Sequence, residues 1–434
     1  MKNIKRLILK TWLPCIGYGL GVGAFVGVVV VLFKLAAEWI IEESAHLYQL
    51  VRDNPIWAAV LFAALLGIAT ATYFVQRWCK ETKGGGIPRA EGAIKAVLSL
   101  RPLRTAVAIV VNSLLAFLAG LPLGSEGPSV LLGTSLGGIT GKLSSDDQWN
   151  RYAMAGGASA GFAVATCAPL TGIVFVFEEI LKEFKPVVFT LVAIAVATAT
   201  GVSNLILDAF EHHPAPLFAI DVVANFALAD IWVALLLGLV IGVGAVGFNN
   251  LTVWFGKLWS KYVTNGWIRL VVVFVLVGAI GFFLPQVLGG GAGVIVAVSD
   301  YAFPLGLLAL VLVAKVFTIS FANSSGATGG MFIPLLCVGA LLGALCSKLF
   351  VAMGMDASLV PLVVLLSTSA FMGASTGAPL TATVFLLECG AGVENLLHIV
   401  VVTVVSHLVM NLLHQEPLYD INLHNLVKQE KANK

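Results

Sequence analysis

Charged residues are scarce in this chain. Only 11% of its 434 residues are Asp, Glu, Lys or Arg, whereas 59% are hydrophobic. An average soluble domain carries about 25% charged residues, so the composition excludes an ordinary soluble protein. The formal net charge is only +2, and no basic cluster alternates with aromatic residues. Because nucleic-acid surfaces need such clusters, we expect no nucleic acid as a partner.

Patterns that hold metals or cofactors are also missing. The six cysteines are scattered without a CxxC pair, and no HExxH zinc motif occurs. Ligands for a structural or catalytic metal normally come at such short spacings. We therefore expect no metal and no cofactor. An intramembrane enzyme that uses Glu126, Glu179 and the histidines is the least favoured class of function.

Long apolar runs are what the chain has instead. Runs that can cross a bilayer, about 20 residues in a helix, recur without a charged residue at 11–33, 56–76, 152–177, 186–207, 231–256, 270–299, 316–347 and 395–415. They predict an all-α polytopic protein in the inner (plasma) membrane. By the positive-inside rule, both termini are predicted to be cytoplasmic from the basic residues Lys2, Lys5, Arg6, Lys10, Lys428, Lys431 and Lys434.

An internal repeat divides the chain. "CAPLTGIVFVFEE" at 167–179 returns as "GAPLTATVFLLEC" at 377–389, 210 positions later. Three upstream residues, Pro128, Gly133 and Gly137, return 206 positions later as Pro334, Gly339 and Gly343. Convergence on small-residue packing motifs is the alternative to duplication. The near-constant offset favours two membrane repeats, predicted at 12–208 and 228–413, with an N-terminal segment 1–11, a linker 209–227 and a C-terminal tail 414–434.

Two glycine-proline motifs interrupt the apolar runs at "GSEGP" (124–128) and "GGMFIP" (329–334). Each places glycine directly before a predicted helix and proline in its first turn. A helix N-terminus has unpaired N–H groups and the positive end of the helix dipole, so it attracts anions. Irregular backbone at membrane depth is tolerated only inside protein or beside a water-filled cavity. These motifs predict a site for an anion.

Glu126 lies within the first of these motifs. An ionised carboxylate there would compete with an anion, whereas a protonated carboxyl group would release the site. A helix-capping acid of structural value is the alternative. Because an ionisable residue at membrane depth is a functional hypothesis by default, we interpret Glu126 as a gate that links protons to anions.

The motifs together resemble those of the CLC family of anion channels and anion/proton antiporters. In order along the chain they are "GGGIP" at 84–88, "GSEGP" at 124–128, "GGMFIP" at 329–334, the duplicated "APLT" segments and "EPLY" at 416–419. The resemblance covers nearly the whole chain. It implies two inverted-topology repeats of about 18 broken and tilted helices, and a homodimer in which each subunit has its own pathway.

The resemblance also implies roles for individual residues. Glu126 matches the outer gate and proton carrier, and Glu179 matches the inner glutamate that transfers protons in the antiporters. The neighbour Glu178 aligns with Glu388 of the second repeat, whereas Glu179 has no counterpart there; a solvated acid beside Lys182 is the alternative for Glu179. The residues implied in anion binding are Gly85, Gly127, Met331, Phe332, Ile333 and Tyr419.

Two positions depart from the family pattern. Gly85 stands where chloride-selective members usually have serine, and Ser125 stands where the family usually has arginine. Chloride is the first candidate substrate. Because Gly85 lacks the hydroxyl group, nitrate and another halide are alternatives. Lys315, a cation within an apolar run, either attracts the anion or has a structural role in which it snorkels or is paired.

We therefore predict a secondary-active transporter that exchanges a monovalent anion for protons across the lipid bilayer. A passive gated anion channel of the same fold is the alternative, and Glu179 favours the transporter.

Overall fold

The structure, a computed structural model, describes residues 8–143, 146–212, 217–218, 220 and 222–432. Residues 1–7 of the predicted N-terminal segment therefore lie outside the described residues, with Lys2, Lys5 and Arg6. Parts of the predicted linker (213–216, 219 and 221) and the last two residues of the tail, including Lys434, also lie outside them.

The predicted all-α fold is confirmed, since the described residues contain seventeen α-helices and no named β-strand. The helices of the N-terminal half are α1 (Leu13–Asp53), α2 (Ala58–Trp78), α3 (Ile87–Ile94), α4 (Pro102–Leu118), α5 (Glu126–Gly141), α6 (Asp147–Thr166), α7 (Pro169–Phe175) and α8 (Pro186–Ala209). Those of the C-terminal half are α9 (Ile231–Tyr262), α10 (Gly266–Phe283), α11 (Ala292–Val298), α12 (Leu305–Ser325), α13 (Phe332–Ala352), α14 (Val360–Thr376), α15 (Pro379–Glu388), α16 (Leu396–Leu412) and α17 (Leu418–Ala432).

Several predicted spans differ from the observed helices. Nine helical segments in the described part of the chain are long and apolar enough to cross a membrane. The run at 152–177 is two helices, because Cys167 adopts a left-handed conformation (φ 52°) and Pro169 follows it. The run at 316–347 is likewise divided, since α12 ends before Gly326 (φ 85°) and α13 begins after the glycine motif. Hydropathy alone did not locate these breaks.

Glycines allow α5 and α6 to pack with their backbones almost in contact. A Cβ added to Gly133 of α5 would lie 2.1 Å from the carbonyl oxygen of Gly157 in α6. The same arrangement recurs between α13 and α14, where a Cβ on Gly339 would lie 2.4 Å from the carbonyl oxygen of Ser367. Small residues at helix interfaces permit this close approach in membranes. The two halves of the chain thus use equivalent contacts, and the predicted domain boundaries stay a prediction.

Candidate functional site

Three helix N-termini meet near the middle of the protein. An antiparallel bridge joins Gly124, before α5, to Gly330, before α13; its two backbone N–H···O distances are 2.8 and 2.6 Å. The segment before α3 joins the same pair of motifs, because the Gly84 amide donates to the Gly326 carbonyl at 3.3 Å. The Gly329 amide in turn donates to the Gly84 carbonyl at 3.4 Å. Segments more than 200 residues apart in sequence therefore form one backbone crossing.

This crossing requires glycine. A Cβ on Gly127 would lie 2.0 Å from the carbonyl oxygen of Gly85, which is far inside van der Waals contact. Gly86 has a φ of +86°, which disfavours other residues, and its Cβ would lie 2.4 Å from the Gly127 carbonyl oxygen. The first turns of α3 and α5 consequently touch each other. Their unpaired N–H groups and positive dipole ends occupy one small region of the protein, an arrangement that suits an anion.

Glu126 is the first residue of α5 and is 1% exposed. One carboxylate oxygen, Oε1, accepts a hydrogen bond from the Ser125 hydroxyl at 3.2 Å, whereas Oε2 has no hydrogen-bond partner. A Cβ on Gly124 would lie 2.4 Å from Oε2 and 3.5 Å from the Ile333 Cβ, so the carboxylate is folded against the start of α13. The carboxyl group thus occupies the region where an anion would bind.

The other residues implied in anion binding surround the same region. Met331 caps α13, and Phe332 is its first residue. The Phe332 ring fixes this end of the helix, since it packs edge-on against Phe162 and Phe385 at centroid distances of 5.0 and 5.2 Å. Tyr419, in the first turn of α17, is 3% exposed and its hydroxyl has no hydrogen-bond partner.

Gly85 has space around it. The nearest atom to a Cβ at this position would be the Gly329 carbonyl oxygen at 3.5 Å, an ordinary contact distance. Gly85 also lines a cavity of about 830 Å³ that reaches the surface beside α17. The packing around Gly85 would therefore accept a serine side chain, although the sequence has glycine at this position.

Glu179 lies in a π-helical turn, Val176–Leu181, that continues α7. It is 1% exposed, and its Oε1 has no hydrogen-bond partner. One carboxylate oxygen of each of Glu91, Glu179 and Asp420 lies within 4.8 Å of those of the other two. Tyr419 is within electrostatic range of both Glu179 and Glu126. No pattern in the sequence predicted these neighbours of Glu179.

Two lysines compensate the acidic neighbours of Glu179. Lys95 Nζ lies 2.7 Å from Glu91 Oε1, and Lys182 Nζ lies 2.6 Å from Asp420 Oδ1. The alternative reading of Glu179, a solvated acid followed by Lys182, does not describe this geometry, because the lysine pairs with Asp420. Only the Glu91–Lys95 pair had a signal in the sequence, the i,i+4 spacing on a helix.

Lys315 is fully buried in α12. Its ammonium group donates to the backbone carbonyls of Gly289 and Leu288 at 2.7 and 3.4 Å. The adjacent Gly290 packs on Ile333, since a Cβ there would lie 3.1 Å from Ile333 Cγ2. Lys315 thus has the structural, paired role that the sequence left as one alternative, and it supports a loop that contacts the start of α13.

Three pentapeptides fit the GxSxG pattern of serine hydrolases, but their serines are bonded elsewhere. Ser135 donates to the Leu131 carbonyl, Ser159 to the Gly172 carbonyl and Ser375 to the Asn249 side chain, at 2.6 to 2.8 Å. A nucleophilic serine needs a base within hydrogen-bond reach. Ser135 bonds within its own helix, whereas Ser159 and Ser375 join neighbouring helices, so the pattern gives no support to an enzyme.

Comparison with known proteins gives a consistent result. A family model described as voltage gated chloride channel matches residues 67–411. A protein named H(+)/Cl(-) exchange transporter ClcA from Yersinia pseudotuberculosis is 28% identical over 428 residues, which cover 95% of this chain and 87% of the relative. The protein of the same name from Klebsiella pneumoniae is 28% identical over 444 residues, covering 99% of this chain and 93% of the relative.

Solved structures show the same fold. The crystal structure of a slow cyanobacterial Cl-/H+ antiporter has a TM-score of 0.89 and 22% identity, and the match covers 96% of this chain and 99% of that one. A CLC-type fluoride/proton antiporter has a TM-score of 0.74 and 20% identity, with 90% and 93% covered. The expected CLC-like arrangement of broken helices is thereby confirmed.

Proposed function

This chain belongs to the voltage gated chloride channel family, and from that premise we propose that it exchanges a monovalent anion for protons across the membrane. Chloride is the first candidate anion, because the relatives from Yersinia and Klebsiella are named H(+)/Cl(-) exchange transporters. Nitrate and other halides are alternatives on account of Gly85. The observation that carries the proposal is the pair of fully buried carboxylates, Glu126 and Glu179, each with an oxygen that has no hydrogen-bond partner.

The anion is held by dipoles and not by a paired cation. The touching N-termini of α3, α5 and α13 supply backbone N–H groups from Gly85, Gly127, Met331, Phe332 and Ile333, and Tyr419 supplies a hydroxyl. Weak coordination by several partial charges lets an ion both enter and leave. A lysine or arginine in direct contact would hold the anion longer and slow its release.

Glu126 makes anion movement depend on protons. In its ionised form the carboxylate competes with the anion for the same donors. Its position against the start of α13 corresponds to this form. Protonation removes the charge that those donors attract, so the side chain can leave and an anion can take its place. One residue thereby serves as outer gate and as proton carrier.

Glu179 supplies the second proton station. Its neighbours Glu91 and Asp420 are each paired with a lysine, so Glu179 is the member of the acidic cluster that lacks such a partner in the described chain. A buried carboxyl group without a fixed counter-ion can take up and release a proton without breaking an ion pair. Protons would pass between Glu179 and Glu126.

The chain is a multi-pass membrane protein, and we place it in the inner (plasma) membrane with both termini in the cytoplasm. The side with α17 and Glu179 is then the cytoplasmic side. A homodimer, with one pathway in each subunit, is part of the proposal. Neither a cofactor nor a metal is needed for the exchange.

A chloride gradient across liposomes that contain the purified protein tests the proposal. Under exchange, chloride efflux drives protons uphill into the liposomes, which a pH electrode records. A passive channel of the same fold would carry chloride without any proton movement, so anion flux alone would contradict the proposal.

A further inference from the structure

A large cavity opens beside α17 and reaches the glycine segment before α3. Its volume is about 830 Å³, and its lining includes Gly84, Gly85 and Gly86 before α3. Pockets that hold small organic ligands measure about 300–1,000 Å³. A single halide with its water shell would occupy a small part of this volume, so the cavity is larger than anion passage requires.

The lining of this cavity is strongly basic. It includes six cationic residues and no aspartate or glutamate: Lys83, Arg89, Lys257, Lys261, Arg269 and Lys428. Among the described residues, only Arg89 of these six has an ion pair, with Glu430 at 2.9 Å. The other five cations come from three separate segments of the chain and lack a carboxylate partner in the described part of the protein.

The four lysines among these five cations are exposed to solvent, so water and salt screen their mutual repulsion. A cleft lined by charges of one sign raises the local concentration of anions. A transported monovalent anion is attracted in the same way, but each ion neutralises only one charge and must leave quickly. Phosphate groups match lysine and arginine well and carry several charges in a small volume. The cavity lining contains no aromatic side chain that could stack on a base.

We propose that this cavity is a binding site for a compact oligophosphate, such as the triphosphate group of a nucleotide, which blocks anion access when bound. Recognition is through the phosphates, and the amide side chains of Asn422 and Asn425 on the cavity wall supply further hydrogen bonds. Because the cavity leads to Gly84–Gly86, an occupant closes the route between the solution and the anion site. The block rests on the proposed function, whereas binding does not.

Binding is measured by calorimetry on the purified full-length protein, with inorganic tripolyphosphate, ATP, GTP and orthophosphate as probes. Recognition through phosphates predicts similar affinities for tripolyphosphate and the two nucleotides, a much weaker affinity for orthophosphate, and a loss of affinity at high salt. The double variant Lys257→Gln/Lys428→Gln is expected to bind tripolyphosphate about tenfold more weakly. A matched double variant at lysines outside the cavity lining, Lys185→Gln/Lys348→Gln, should bind like the unmodified protein.

Three results would overturn the proposal. The first is the absence of saturable binding at about 1 mM tripolyphosphate, a concentration far above a micromolar dissociation constant. The second is equal binding of tripolyphosphate by both double variants. The third is a preference for one nucleotide base that exceeds the contribution of the triphosphate to affinity. The single variant Lys83→Gln repeats the test if the double variant is unstable. Vesicles rich in phosphatidylglycerol separate the two sources of phosphate: a lipid-headgroup site would lose tripolyphosphate binding in them, and a site for the soluble anion keeps it.

Flux measurements then test the block. Tripolyphosphate on the side of α17 should stop chloride and proton movement together, and on the opposite side it should have no effect. Chloride flux without proton flux in the absence of tripolyphosphate would contradict the exchange mechanism and leave the binding result intact. Normal exchange without tripolyphosphate binding would contradict the site alone.

Discussion

Glu178, just after α7, caps the N-terminus of α15, and Glu388, the last residue of α15, caps the N-terminus of α7. The Glu178 carboxylate accepts hydrogen bonds from the amides of Leu380 and Thr381 in α15, at 2.8 and 2.6 Å. Glu388 does the same for Leu170 and Thr171 in α7, at 2.8 and 2.7 Å. These two acids, which align in the sequence repeat, therefore form a reciprocal pair of helix caps. Glu179, the next residue, has no counterpart in this arrangement.

Glu178→Gln is expected to lower the free energy of unfolding by about 2 kcal/mol, because an amide cannot accept both charge-assisted bonds from α15. Thermal unfolding in detergent measures the loss. Glu388→Gln should cause a similar loss, whereas Glu183→Gln, at an exposed ion pair, should cost less than about 1 kcal/mol. The ratio of chloride to proton flux should not change in the Glu178 variant, and a changed ratio would assign Glu178 to the proton path.

Glu179→Gln should have the opposite effects. The glutamine fits the same buried place but cannot carry a proton, so proton movement should fall below detection while chloride continues to flow. Liposome flux with simultaneous chloride and pH electrodes measures both. Thermal stability should stay near that of the unmodified protein, because Oε1 of Glu179 makes no hydrogen bond that would be lost. Continued uphill proton movement in this variant would remove Glu179 from the mechanism.

Glu126→Gln is expected to abolish proton coupling and to leave some chloride flux. An amide has no charge to compete with the anion, so it resembles the protonated gate. Chloride flux should also become independent of pH, which a series of liposome assays from about pH 4.5 to about pH 7.5 would record. If this variant pumps protons, Glu126 is not the proton carrier.

Gly85→Ser is expected to shift anion preference towards chloride. The structure has room for the side chain, whose Cβ would lie 3.5 Å from its nearest neighbour, and the hydroxyl adds a donor at the end of the cavity. Competitive flux of chloride against nitrate measures the preference. Gly127→Ala is the contrasting variant, since its Cβ would collide with the Gly85 carbonyl, and it should impair transport of every anion. Unchanged selectivity in the serine variant would show that position 85 does not set the preference.

The contacts of Glu430 predict a pH-dependent stability on the cavity side, outside the candidate membrane spans. Burial opposes its ionisation, but hydrogen bonds from Ser99 and the Arg89 guanidinium hold its pKa below the usual value. A lowered pKa in the folded state stabilises the fold above the ordinary glutamate range near pH 4.3, and this contribution disappears as the pH falls through the folded value. Glu430→Gln should therefore lower the melting temperature at pH 7 more than at pH 4. An equal effect at both values would contradict the ionic role.

The sequence predicted the parts of the site that are local. Gly124, Glu126 and Pro128 carry enough information to indicate a helix N-terminus in a membrane, and α5 does begin at Glu126. The repeat likewise distinguishes Glu178, which has a counterpart in Glu388, from Glu179, which has none. Both inferences needed only short spacing and the properties of glycine, proline and a buried acid.

Long-range contacts could not be predicted in this way. Glu91 and Asp420 meet Glu179 because α3 packs against both α17 and the π-helical turn that contains Glu179. No local pattern in the sequence records that packing. The apolar run at 11–33 also predicted too short a helix, because α1 extends to Asp53. Lys34 and Glu38 interrupt the run, but their charged groups lie 4.0 Å apart on adjacent turns, and Lys34 also contacts Cys167. Charges that find partners within the protein do not end a helix.

The most direct test of anion/proton exchange is the membrane voltage at which net flux through the reconstituted protein stops. Chloride is kept at a fixed gradient, and only the pH gradient is varied. Exchange predicts that this voltage shifts in proportion to the pH difference, and that the Glu179→Gln variant removes the shift. A voltage set by the chloride gradient alone in the unmodified protein would contradict exchange and identify a passive channel.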